Sequence, residues 1–237
     1  MNITSYSLQR GLTLLLMGLA CAFTSAMVDA GSLAELSSKD AASGLHAALG
    51  QAIHQAVAHL GVSGGFLSNP KVAIPLPPPI ERVERGLRLV GMGGDADALK
   101  TAMNHAAESA VAEAEPILKQ ALQRMTIEDA KGILSGGGDA ATQYFRRVTA
   151  ESLSSKFKPI VANATAKVKL ASLYDEYAGK ASKFGLVKGE DAHLNDYVTS
   201  KALDGLFSVM ADEERAIRKD PLGQASSLIQ RVFGALK

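Results

Sequence analysis

SSKDAASGLHAALGQAIHQAVAHLG, residues 37–61, decides the fold class. Leu45, Leu49, Ala52, Ile53, Ala56, Val57 and Leu60 recur with the 3.6-residue period of one helix face. Ser37 and Asp40 stand three apart as a capping box ahead of the run, and Gly61 follows it as a stop. The whole chain shares this character. Hydrophobic residues make up 47% of it and aromatics only 5%, with no tryptophan. Alanine is the best helix former, so small side chains between closely packed helices, rather than aromatic-rich sheet layers, must build the core.

Further helix starts are marked along the chain. Thr126 and Asp129 repeat the capping box before a short helix ending near Leu134. Asp95, Asp139, Asn195 and Asp220 occupy predicted N-cap positions, the last followed by Pro221 at a first helical position. Pro116 and Pro159 interrupt apolar periodic stretches, which predicts a break or kink just before each. The expectation is an all-α, single-domain helical bundle over residues 31–237, with its core at about 36–234.

GGFLSNPKVAIPLPPPIERV, residues 64–83, departs from the pattern. Val72, Ile74 and Leu76 alternate, while prolines at 70, 75, 77, 78 and 79 forbid helix and remove backbone donors. This predicts an extended, proline-rich strap with Val72, Ile74 and Leu76 across the helices, before Pro79 opens the next helix. Pro75 and Pro78 also satisfy P-x-x-P, the alternative being a docking ligand for another protein.

The first thirty residues read as a signal peptide. Arg10 precedes LTLLLMGLACAF, an apolar run of h-region length and shorter than the roughly 20 residues of a membrane span. Small residues permit cleavage after Ala26 or Ala30. The expected location is therefore periplasmic or secreted, with no transmembrane segment in the mature chain. The alternative is a membrane-anchored lipoprotein lipidated at Cys21, which follows Gly18-Leu19-Ala20. Lys+Arg 25 against Asp+Glu 24 gives no net field to draw nucleic acid, which is excluded as a partner.

NPKVAIPLP, EDAKGILSGGGDAATQYFRR, FKPIVANAT, DYVTSKALDGLF and DPLGQASSLIQRVFG, in that order, resemble the successive signatures of a bacterial family of secreted or envelope helical proteins catalogued as a domain of unknown function. The likeness runs from about Leu36 to Gly234. It implies a single exported helical domain, and brings no activity, substrate or catalytic residue with it.

Chemistry-bearing patterns are few. SGGGDAATQYFRR, residues 135–147, has the three glycines of a phosphate cradle but neither the lysine nor the hydroxyl of G-x-x-x-x-G-K-[ST]. Asp139 stands where its carboxylate would accept the N–H of Thr142 or its neighbour and repel an anion, so the glycines read as hinge plus cap. Gln143, Tyr144 and Arg147 share one flank of the following helix and form a candidate binding set. GVSGG, residues 61–65, matches G-x-S-x-G, but Ser63 follows a helix and precedes the strap, the reverse of a nucleophile elbow. Glu190 and His193 supply one E-x-x-H without the second that a di-iron bundle requires. His54 and His59 diverge on their helix, and His105 with Glu108 lacks further ligands, so no metal or cofactor is expected.

The functional expectation is an exported cell-envelope protein acting as a non-catalytic ligand-binding or protein-interaction module. Its partner would be another envelope protein or an apolar small ligand, held in grooves between helices or on the tail helix bearing Leu222, Ala225, Leu228, Val232 and Phe233. The alternative is a hydrolase-type enzyme with Ser63, His105, Glu108 and His193 as first suspects.

Overall fold

The computed structural model describes residues 38–91, 93–183, 192–221, 223 and 227–234. The predicted signal peptide with Cys21, Ser37 of the predicted first capping box, Glu190, Leu222 and Ala225 lie outside them. The described residues form nine helices: α1 Ser38–Leu60, α2 Pro78–Leu89, α3 Gly93–Val111, α4 Glu115–Gln123, α5 Ile127–Ser135, α6 Ala140–Thr165, α7 Lys169–Lys183, α8 Leu194–Lys219 and α9 Ser227–Gly234. They include no strand, so the protein is an all-α single domain.

The two longest helices, α6 and α8, pack along one another and α3 lies against both, while α1 packs on α8, α4 and α9. Every residue of the predicted α1 stripe is buried, from Leu45 to Leu60. Alanines 48, 52 and 56 of α1 and 96, 106, 107 and 110 of α3 are also buried, and their small side chains let helix backbones approach closely. Phe66, Phe145, Phe157 and Phe207 fill the larger spaces.

The punctuation is partly as predicted. Thr126 and Asp129 form the capping box of α5, with Thr126 Oγ1 accepting from the Asp129 N–H at 3.1 Å and Asp129 Oδ2 accepting from the Thr126 N–H at 3.1 Å. Pro116 sits in the first turn of α4, so the chain breaks before it. Pro159 does not end its helix: α6 runs on from Ala140 to Thr165. The carbonyl left without a donor belongs to Ser155, an exposed residue, so water can satisfy it. Asp95 and Asn195 fall inside first turns, and Asn195 instead accepts the Thr165 hydroxyl at 3.0 Å. Asp220 ends α8 and accepts the N–H of Gly223; the next described helix starts only at Ser227.

The strap is present. Val72, Ile74 and Leu76 are buried while Pro70, Pro75 and Pro78 are exposed. Asn69 starts it: its carbonyl accepts the N–H groups of Val72 and Ala73, and its side-chain oxygen accepts that of Lys71.

Candidate functional site

Three buried polar clamps fix the strap and its approach. Asn104, wholly buried on α3, accepts the Ile74 N–H at 2.8 Å and donates to the Ile74 carbonyl at 3.0 Å, as a neighbouring strand would. One helical turn later, Glu108 accepts the N–H groups of Phe66 and Leu67 at 3.0 and 3.1 Å and meets His105 Nδ1 at 2.7 Å. Burial alone would raise the Glu108 carboxyl; the His105 ring, and then the N–H groups of Leu67, Phe66 and Gly64, outweigh it and hold the group below its ordinary range. From α8, the Tyr197 hydroxyl donates to the Pro75 carbonyl at 3.3 Å. Pro75 has no N–H and the Ile74 groups are taken, which removes these positions from pairing with an added strand. Val72, Ile74 and Leu76 dock the strap on its own protein, while Pro75 and Pro78 of the P-x-x-P pattern stay exposed.

Between the outer side of this strap, the first turn of α2 and one face of α8 lies a groove of about 550 Å³. Ala73 and Pro75 form the strap wall, Pro78 and Glu81 close the α2 end, and Tyr197, Lys201 and Asp204 line the α8 wall. The spacing of those three α8 residues places them on one face. Lys201 Nζ stands 5.7 Å from the centre of the Tyr197 ring, a cation–π arrangement. Asp204 is met by Arg146 at 2.9 Å, whose guanidinium also covers the Phe207 ring at 4.8 Å. Lys71 is paired with Asp212, and Lys71, then Arg215, hold the Asp212 carboxyl below its ordinary range against the opposing effect of burial. Lys201 and Glu81 are thus the lining charges with no ion pair among the described residues.

The triple-glycine segment turns out differently from the reading of Asp139. Asp139 precedes α6 but makes no side-chain cap; its Oδ1 accepts from Gln143 Nε2 at 2.9 Å. Glu214 of α8 supplies the cap, accepting the N–H groups of Ala141 and Thr142 at 3.0 and 2.9 Å and the Thr142 hydroxyl at 3.0 Å. Arg218 grips the same carboxylate at 2.9 Å and donates to the Ile133 carbonyl at 2.8 Å. The helix terminus where a phosphate would sit is filled by the protein's own buried anion. A Cβ at Gly136 would lie 2.6 Å from the Ala140 Cβ, so this turn requires glycine for close approach.

The candidate set Gln143, Tyr144 and Arg147 is only partly brought together. The Arg147 guanidinium lies 5.6 Å from the Tyr144 ring centre, but Tyr144 is buried, with its hydroxyl directed to the Ala121 carbonyl at 3.4 Å, and burial raises its pKa. Ser63 lies exposed in the turn after α1, and the N–H groups following it are held by Glu108. His193 is exposed at the N-cap position of α8 without a capping bond from its side chain. Among the described residues no three His, Cys, Asp or Glu come together as a metal-binding group. No described helix is long and apolar enough to cross a membrane. Of the tail-helix stripe, Val232 and Phe233 are buried, and α9 packs on α1.

Sequence reading singles out neither Asn104 nor Tyr197 nor Lys201. Asn104 had a faint signal as an amide within the apolar face that continues as Ala107, Ala110 and Val111. The α8 pair had none, because their role depends on where the strap crosses.

A family model described as "Protein of unknown function (DUF4197)" matches residues 35–234. No curated protein and no solved structure matches the chain.

Proposed function

Since the chain belongs to that family, whose description assigns no activity, we propose from its geometry that it is a non-catalytic binding module whose ligand lies in the groove between the strap and α8. The observation carrying this reading is the Lys201 ammonium, beside Tyr197 and facing a proline wall, with no ion-pair partner among the described residues. A ligand with an apolar body against Pro75 and Pro78 and an acidic head at Lys201 suits these walls; the volume falls in the range of about 300–1,000 Å³ of small-molecule sites. The clamps at Asn104, Glu108 and Tyr197 support a preformed site, since the strap need not order on binding. Non-catalytic action is supported by the commitment of the Phe66 and Leu67 N–H groups to Glu108, which removes them as oxyanion donors for Ser63.

A screen of small amphiphilic acids read by amide chemical shifts tests the reading. Shifts at Ala73, Lys201 and Asp204 that vanish in Lys201→Glu are expected. Hits that move only other regions would refute it.

Export is part of the same proposal, supported by Arg10 and the apolar run that follows. The intact mass of the product recovered from the envelope separates cleavage after Ala26 or Ala30 from lipid attachment at Cys21. An unprocessed chain retained in the cytosol would contradict both.

A further inference from the structure

Of the large apolar side chains exposed on the described surface, three lie within eight residues: Val83 at 53% exposure, Leu89 at 89% and Val90 at 71%. All belong to α2 and the turn that ends it. This helix lies against α3 with Ile80 buried, and Arg88 ties its end down by pairing with Glu84 at 2.7 Å and with Asp97 on α3 at 2.8 Å. Its remaining exposed charges are mostly basic, with Glu81 at the groove end as the exposed carboxylate. Arg82 and Arg85 are exposed and make no ion pair among the described residues. Offsets of three, four and seven place Arg82, Arg85 and Leu89 on one face, with Val83 and Val90 together on the adjoining flank.

Such a patch calls for an occupant that is apolar within and negative at its rim. A second copy docked by two-fold symmetry would gather four arginines against only two Glu81 carboxylates, because the same surface meets itself. The interface of an anionic bilayer supplies both parts: acyl chains for Leu89 and Val90, and acidic headgroups for Arg82 and Arg85. We infer that α2 is a peripheral docking element for anionic phospholipid surfaces, entering by its Leu89–Val90 end. The near-neutral chain gives no long-range attraction, so contact depends on this local charge and is reversible and salt-sensitive.

The chain contains no tryptophan, so Leu89→Trp at this exposed position adds a single fluorescent reporter. Vesicles of phosphatidylglycerol and phosphatidylcholine should shift its emission to the blue and allow quenching by brominated acyl chains. Pure phosphatidylcholine should not, and salt near 1 M, where the Debye length falls to about 3 Å, should reverse the shift. Arg82→Glu with Arg85→Glu in the same background should abolish it. On the unsubstituted protein, amide exchange in α2 should slow several-fold with the anionic vesicles alone. Unchanged emission and exchange with anionic vesicles would overturn the inference. So would equal shifts on both vesicle types, a shift retained after charge reversal, or a shift produced by concentrating the protein without lipid, which would indicate self-association.

Discussion

Glu214 Oε2 on α8 lies 2.9 Å from the backbone nitrogen of Thr142 on α6 and 3.0 Å from its hydroxyl, across a separation of 72 residues. A carboxylate from a distant helix therefore completes the N-terminus that the adjacent Asp139 leaves open. Arg218, only 15% exposed, neutralises it.

Removing that carboxylate should be costly. Glu214→Ala orphans two helix N–H groups and leaves the Arg218 charge nearly buried, and losing one partner of such a pair costs about 3–5 kcal/mol. Asp139→Ala breaks only an exposed contact with Gln143 and should stay within about 0.5 kcal/mol of the parent. Urea denaturation of the two variants measures the contrast. Equal losses would return the capping role to Asp139.

Asn104→Ala should loosen the strap. It leaves the Ile74 N–H and carbonyl without partners at a buried position, at a cost of about 1–3 kcal/mol for each unsatisfied group. Hydrogen exchange should accelerate at Ile74 more than in the middle of α6. Uniform acceleration throughout would mean that Asn104 acts on global stability alone.

Gly205 marks where α8 passes the Phe66 ring. A Cβ there would lie 2.6 Å from Phe66 Cε1, and the ring is wholly buried with little room to swing. Gly205→Ala should therefore cost about 1–3 kcal/mol by overpacking. Gly132→Ala, at an exposed position of α5, meets nothing within 4 Å and should stabilise by about 0.5–1 kcal/mol through helix propensity. Thermal denaturation of the pair gives opposite signs if both packing relations hold.

Glu108 makes stability pH-dependent. Its carboxyl is held below the ordinary 4.5, so the folded state binds its proton less readily than the unfolded state. The stabilisation is present above the unfolded value and is lost as pH falls through the lower folded value. Glu108→Gln should be less stable at neutral pH and show a shallower loss between about pH 4.5 and the acid limit. An unchanged acid profile would show that the other lowered carboxyls, Asp97, Glu115, Asp129 and Asp212, carry the dependence instead.

Much of the frame was legible in the chain. The α1 stripe, the Thr126–Asp129 box, the Pro116 break and the alternating burial of the strap all follow from contacts within a few residues, where period, donor count and fixed φ act locally. The site was not legible to the same degree. Gln143, Tyr144 and Arg147 do share a flank, but that flank meets the Ala121 region, so Tyr144 is buried. Lys201 and Tyr197 become groove walls only because the strap crosses α8 at Pro75.

The sequence by itself determined that helices form, where several of them begin, and that a proline segment must stay extended among them, because propensity and periodicity are properties of short windows. Only the tertiary structure decided that Glu214 caps α6, that Asn104 and Glu108 hold the strap and its approach, and that a groove opens beside Lys201. Those outcomes depend on which helix faces meet across tens of residues, and burial turns such meetings into hydrogen bonds that local sequence does not encode.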